Sequence, residues 1–281
     1  MTLGPAYLLG LIGSGIQASR TPNMHEREGA RRGFRTLYRL IDLTPLGLTA
    51  DALPELLRSC QRLGFNGLNI THPCKQAIIP LLDELSEDAA AIGAVNTVVF
   101  KDGRKIGHNT DWWGYEDGFK RGLPDADLGS VLQLGSGGAG SAVAYALMKL
   151  GAASLMIFDI DRAKAKALAD DLSRRFDGRV RAVDDAVAAA ASATGIVQCT
   201  PIGMSAHPGL PISADALRPD LWASEIIYFP LETQFLRTAK ARGCRVVDGS
   251  GMAVGQAVRA FELFTGVTPD AEAMRRDLFD V

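Results

Sequence analysis

Short apolar runs recur along the chain, bounded by glycine, proline and polar residues, and alternate with stretches whose apolar positions return at helical spacing. That alternation predicts a parallel α/β construction, with strands expected at residues 8–12, 67–70, 131–134, 155–158, 196–199 and 225–228. The chain has 281 residues, more than the roughly 100–200 of a usual single domain, so two domains sharing a cleft are expected. Clefts of that kind are where small molecules bind.

The segment AVNTVVFKDGRKIGHNTD, residues 94–111, sets two strand-like runs around Asp102-Gly103, a strong two-residue hairpin signal. With that pair as the loop, Lys101 faces Arg104, and counting outward places Asn96 opposite Asn109. Cross-strand partners share a face, as do residues two apart, so Asn96, Asn109 and Asp111 are expected to project from one side. A solvated hairpin face accounts for the same pattern, and a single bulge would undo the count.

After the hairpin, VLQLGSGGAGSAVAYALMKLG runs from an apolar strand into Gly135-x-Gly137-x-x-Gly140 and a helix closed by Gly151; a second strand then ends at Asp159. This is the dinucleotide fingerprint in its required setting: glycines give the tight turn, and the helix amino terminus faces the pyrophosphate. A carboxylate at 159 can accept both ribose hydroxyls of NAD. A 2'-phosphate about 5 Å away would meet roughly 3 kcal/mol of repulsion per charge at an effective dielectric of about 20. That exceeds the ~1 kcal/mol of a typical net hydrogen bond, so NAD is the expected cofactor. Arg162 is read as stacking on adenine or as exposed on the following helix.

A third segment, NITHPCK at residues 69–75, carries a lysine directly after a strand-like run. Pro73 suits the first turn of a helix, whose positive end would disfavour the charged form of Lys75. On these residues alone, an exposed helix lysine and a lysine that works on a substrate both remain open.

Composition narrows the function classes. With 47% hydrophobic and 22% charged residues and a formal net charge of -2, the chain offers no basic field for nucleic acid. Cys60, Cys74, Cys199 and Cys244 form no C-x-x-C pair, and the four histidines show no ligand spacing, so neither a metal site nor a disulfide framework is expected. The apolar run at residues 7–12 precedes any basic residue, and the alanine-rich run at 186–193 is too short to span a bilayer. A cytoplasmic protein without a membrane partner is expected, which discounts the glycosylation sequon Asn69-Ile70-Thr71.

Seven motifs then carry a resemblance: SRTPNMHE, NITHPCK, IGAVNT, GHNTDWWG, GSGGAG, CTPIGM and GMAVGQAVRAF, in that order. Over about residues 10–266 the chain resembles the shikimate dehydrogenase family. The resemblance implies an α/β substrate domain at 1–114, a Rossmann-type NAD domain at 115–248, and a C-terminal helical segment at 249–281 that returns to the substrate domain. It implies Lys75 and Asp111 as the catalytic pair, and Ser19, Thr21, Thr71, Asn96 and Gln256 as contacts to a small cyclic hydroxy acid. Cofactor contacts implied are Gly135, Gly137, Gly138, Ala139, Asp159, Arg162, Thr200, Met204, Ile227 and Gly251. A monomer or homodimer is expected.

Bland readings stand beside several of these. Thr21 could simply cap a helix, and Gln256, on a helical line with Met252, Ala260 and Leu263, could be a structural amide. Trp112, Trp113, His25 and His72 are read as structural. Thr21, where the family commonly has serine, and Asp159 both resemble the NAD-linked quinate/shikimate branch. The NADP-linked biosynthetic enzyme, amino-analogue dehydrogenases and a non-catalytic NAD-binding sensor are the alternatives.

Overall fold

The sequence folds into strands alternating with helices, most interior strands being largely buried and the edge strands less so. This computed structural model describes residues 4–280, so the expected domain ends at 1 and 281 lie outside the described residues. The chain divides into two units: residues up to Thr110 together with those from Val254 onward, and Asp111–Ala253.

In the first unit, β1 (Ala6–Gly13), β2 (Arg35–Asp42), β3 (Gly67–Ile70), β4 (Glu84–Leu85), β5 (Thr97–Lys101) and β6 (Arg104–His108) form one sheet in the order β2-β1-β3-β5-β6-β4. β1 pairs parallel with β2 and β3, whereas β5 is antiparallel to both β3 and β6. The hairpin has the expected register, Lys101 opposite Arg104, with Asp102 and Gly103 both at positive φ as the tight turn demands. One face buries Ile12, Leu68, Ile70 and Val98 against Leu53 and Leu57 of the helix Leu53–Arg62. The other buries Leu9, Leu11 and Val99 against Ala260 and Phe264 of the helix Ser250–Thr265.

In the second unit, β7 (Val131–Leu134), β8 (Leu155–Phe158), β9 (Val180–Ala182), β10 (Gly195–Gln198), β11 (Trp222–Glu225) and β12 (Arg245–Val247) lie in the order β12-β11-β10-β7-β8-β9, every pairing parallel. Read from β9, this is the doubly wound order 3-2-1-4-5-6. The strand order reverses between β7 and β10, and ligands of such sheets bind at the carboxyl ends flanking that reversal.

Three strand expectations shift. The first strand extends by two residues at its start and one at its end, and the one expected at 196–199 sits one residue earlier. The strand expected at 225–228 is displaced to Trp222–Glu225. The cause is Glu225: its Oε1 accepts the N–H groups of Ile226 and Ile227 at 2.9 and 3.0 Å, so the apolar residues after it leave the ladder. The second sheet is parallel throughout, but the hairpin makes the first one mixed.

Gly67 marks where the helix Ser250–Thr265 presses on β3, because a Cβ there would stand 2.2 Å from the Phe264 ring. Gly67→Ala is expected to reduce stability by about 1–3 kcal/mol in urea unfolding, through forced displacement of that ring. Unchanged stability would mean that the ring does not need the glycine.

Candidate active site

In the first unit, three loops gather at the carboxyl ends of β1 and β3 and the start of β5. The loop after β1 is held by Asp42, the last residue of β2, whose carboxylate accepts N–H bonds from Gly15, Ile16 and Thr44 and the Gln17 side chain at 2.9–3.1 Å. Burial opposes its ionisation, but these donors win and hold the carboxyl below its ordinary range. Ser19 then donates to Thr21 Oγ1 at 3.2 Å and accepts the Thr21 N–H at 3.3 Å. Thr21 does not cap the helix: it is the first helical residue, Arg20 holds the cap position, and no side chain caps there.

The NITHPCK turn lies beside this loop. Thr71 N–H donates to Ile12 O and Ser14 N–H to His72 O, each at 2.9 Å. Pro73 sits at the cap of a helix of only four residues, Cys74–Ala77, rather than inside a first turn. So short a helix has little macrodipole. The backbone of Lys75 is fixed instead by pairing: Val95 N–H donates to Lys75 O at 2.8 Å and Ile70 N–H to Asn96 O at 2.7 Å. Thr71, Lys75 and Asn96 are thereby brought to one edge of the sheet.

Asn96 is buried and its amide is oriented, accepting the Thr110 N–H at 2.7 Å and donating to Thr110 Oγ1 at 2.9 Å. Asn109 turns to a different partner, Ala94 O, at 2.9 Å. The expectation that Asn96, Asn109 and Asp111 share a face fails at the last member. The ladder ends at His108, and Asp111 is the first residue of the helix Asp111–Gly122, so strand alternation no longer applies to it. Gln256 is half-buried on its helix, with Met252 and Ala260 buried one turn to either side. His25 is wholly buried against Tyr38, Phe261 and Phe264, and that burial pushes it down to about 3, a neutral core imidazole.

In the second unit, the glycine loop follows β7. Gly135 has φ +99, and a Cβ there would come within 2.9 Å of the Cys199 carbonyl, so two loops touch at this point. A Cβ on Gly140 would strike Gly135 O at 2.5 Å. Gly137, the exposed cap of the helix Gly138–Lys149, is the opposite case: no side chain caps this end, and a Cβ would meet nothing within 4 Å. The first N–H groups of a twelve-residue helix thus open on unfilled space, with Gly138 and Ala139 at its start, and a pyrophosphate fits there.

Asp159, just past β8, is bound to this loop. Its Oδ2 accepts both the N–H and the hydroxyl of Ser136 at 2.7 Å, and its Oδ1 accepts the Asp161 N–H at 2.9 Å. A carboxylate has about four acceptor positions, so these bonds leave room for one ribose hydroxyl rather than the two expected. Arg162 is exposed at the start of the next helix, its nearest acid Asp184 at 3.5 Å.

The other cofactor positions follow β10, β11 and β12. Thr200 follows β10, its N–H donating to Gln198 Oε1 at 2.7 Å, and Met204 is exposed on the same turn. Ile227 is buried just after β11. Gly251 packs on Gly118, where a Cβ would approach Gly118 Cα to 2.8 Å. Asp111 lies near Tyr228: crowding first, then the Asp111 charge, raises the Tyr228 hydroxyl above its ordinary range. Trp112 packs edge-on against Tyr145 at 5.6 Å.

A family profile described as the shikimate dehydrogenase substrate binding domain matches residues 11–98, and one described as the shikimate 5'-dehydrogenase C-terminal domain matches residues 249–279. A shikimate dehydrogenase (NADP(+)) of Streptomyces avermitilis is 54% identical over 98% of this chain and 96% of its own. The chain belongs to the shikimate dehydrogenase family. A quinate/shikimate dehydrogenase (NAD(+)) of Corynebacterium efficiens is 51% identical over 96% of each chain. The structure of a quinate dehydrogenase from Corynebacterium glutamicum in complex with NAD superposes with a TM-score of 0.93 at 48% identity, covering 99% of this chain and 100% of that one.

Within this family member, the residues that sequence reasoning missed are the braces of the loops. Gln133, fully buried in β7, donates to Gly135 O and Gly140 O at 2.8 and 2.9 Å. Gln198 in β10 donates to Thr200 O and Ile202 O at 2.9 and 2.7 Å. Glu225 in β11 holds both ends of the loop carrying Ile227 and Tyr228, since its Oε2 also accepts the Thr233 hydroxyl at 2.9 Å. The available signal was a polar residue inside an apolar strand, directly before a turn.

Burial pushes Glu225 up from 4.5 to about 7, despite those donors. Between these values the folded protein holds a proton that the unfolded chain releases, so this group's contribution to stability falls as pH rises from 4.5 towards 7. The loss amounts to about 3 kcal/mol once pH exceeds the folded value. Glu225→Gln removes the titration, so the stability difference between parent and variant is expected to move by about that amount between pH 4.5 and 8 in denaturant unfolding. A difference that stays flat would refute a titrating Glu225.

Proposed function

We propose that this protein is an NAD-dependent dehydrogenase that oxidises the ring hydroxyl of shikimate, quinate or a close analogue to the 3-dehydro ketone, reversibly. Family membership supports the reaction, and one observation carries the choice of dinucleotide: the Asp159 carboxylate, held by Ser136 and Asp161 beside the glycine loop. Three hydrogen bonds fix the carboxylate in place, and a carboxylate there repels a 2'-phosphate. Relatives named for NADP and for NAD match almost equally, at 54% and 51%, so overall likeness does not decide the point.

In this reading the residues at 135–139 hold the pyrophosphate on backbone N–H groups, and Asp159 holds a ribose hydroxyl. Arg162 lies against the adenine, and Thr200, Met204, Ile227 and Gly251 line the nicotinamide end. When bound, the nicotinamide supplies the hydride acceptor. Lys75 takes the hydroxyl proton during oxidation and returns it during reduction, with Asp111 as its acidic partner. Ser19 and Thr21 hold the ring carboxylate, and Thr71, Asn96 and Gln256 the ring hydroxyls. Quinate carries an extra hydroxyl beside its carboxylate, so Thr21 is where the two acids are told apart; an unpaired buried hydroxyl costs ~1–3 kcal/mol.

Absorbance of the reduced nicotinamide, with NAD and NADP crossed against quinate and shikimate, tests this reading. Turnover with NAD is expected, and no turnover with any pair would leave a dinucleotide-binding sensor. Lys75→Ala is expected to abolish turnover while leaving NAD affinity within about threefold, since proton transfer contributes to the chemical step and not to dinucleotide binding. Unchanged turnover would remove Lys75 from the mechanism. Asp159→Ala is expected to narrow the preference for NAD over NADP, and a variant as selective as its parent would place that role elsewhere.

A further inference from the structure

The hydroxyl of Ser136 occupies a position in the glycine loop that the fingerprint itself leaves unspecified, and it meets the carboxylate on which dinucleotide choice depends. Ser136 is buried, at 6% exposure, and gives both of its donors to one oxygen of Asp159, each at 2.7 Å. The backbone donor would survive any substitution; the hydroxyl would not. Asp159 itself is half-buried, at the mouth of the loop between β8 and the helix Arg162–Arg175, with open space around its neighbour Ile160.

We propose that Ser136 is a specificity-determining positioning residue, whose side-chain hydroxyl locks the Asp159 carboxylate against the glycine loop and so excludes a 2'-phosphorylated dinucleotide. The proposal rests on the reading of this site as one for NAD. A hydrogen bond to an ionised carboxylate is about twice as strong as a neutral one, and its loss leaves only the backbone N–H groups of Ser136 and Asp161 to hold the side chain against rotation towards solvent. With the hydroxyl present, an incoming 2'-phosphate meets a fixed charge. Without it, Asp159 can swing away and the phosphate is tolerated, while the one remaining acceptor position for a ribose hydroxyl is no longer held in place.

The test is calorimetric binding of NAD and of NADP, without substrate, to the full chain. Ser136→Ala is expected to reduce the ratio of the NADP to the NAD dissociation constant about tenfold. In an Asp159→Ala background the same substitution should leave the ratio unchanged, because a residue that acts through another has no effect once that partner is gone. An unaltered ratio in Ser136→Ala, or an equal change in both backgrounds, would overturn the proposal. Ser136→Cys, which adds a little volume while weakening the donor, gives the same reading where the alanine variant folds poorly. A parent that binds NADP more tightly than NAD refutes the NAD site itself, a result distinct from a parent that prefers NAD and a Ser136→Ala variant that keeps that preference.

Discussion

A buried polar side chain at the end of a strand, bonded to the loop that follows or lies beside it, is the interaction on which the rest of this structure depends. Gln133 holds the glycine loop, Gln198 the turn from Thr200 to Ile202, Glu225 the loop from Ile226 to Thr233, and Asp42 the loop from Gly15 to Gln17 together with the turn at Thr44. Each satisfies backbone groups that no ladder or helix can reach, which an interior loop must have done for it somehow. Because the brace comes from beneath, from inside the sheet, the upper side of each loop stays clear. Gly137 shows the result: a helix amino terminus left open, with the chain around it fixed.

The same economy explains the first unit. The NITHPCK turn contains a helix of a single turn, too short to position a side chain by its own stability. Its backbone is instead tied to the start of β5 at two points, through Ile70 and Lys75, so Lys75 inherits the rigidity of the sheet. Burial of Asn96 and its bonds to Thr110 fix the neighbouring amide in the same way.

What could be read from the sequence follows from burial. Interior strands such as β3, β7 and β8 are short runs with at most one polar residue, and their bounds were legible to the residue. The four edge strands β2, β4, β9 and β12 were not, because a half-exposed edge alternates or carries charge, as in the RTLYRLID of β2. The hairpin register was legible because Asp-Gly admits few turn geometries. It misled at Asp111, past the point where the ladder ends at His108. The braces escaped notice for a different reason: a glutamine or glutamate in a strand is locally unfavourable, and only the loop folded over it explains its presence.

Dinucleotide choice shows how local such determinants are. Relatives 54% and 51% identical to this chain bear names with different dinucleotides, so overall likeness does not set the choice, and the charges to weigh are those at the end of β8. Two charges compete there. Arg162 would favour a phosphate, but it is 73% exposed and its guanidinium faces Asp184 across 3.5 Å, so solvent screens it and an acid already answers it. Asp159 is half-buried and fixed by three donors, two of them from the glycine loop itself. A screened cation that already faces an acid attracts a phosphate only weakly, whereas a fixed carboxylate would repel one, so the charge balance at this position favours an unphosphorylated dinucleotide.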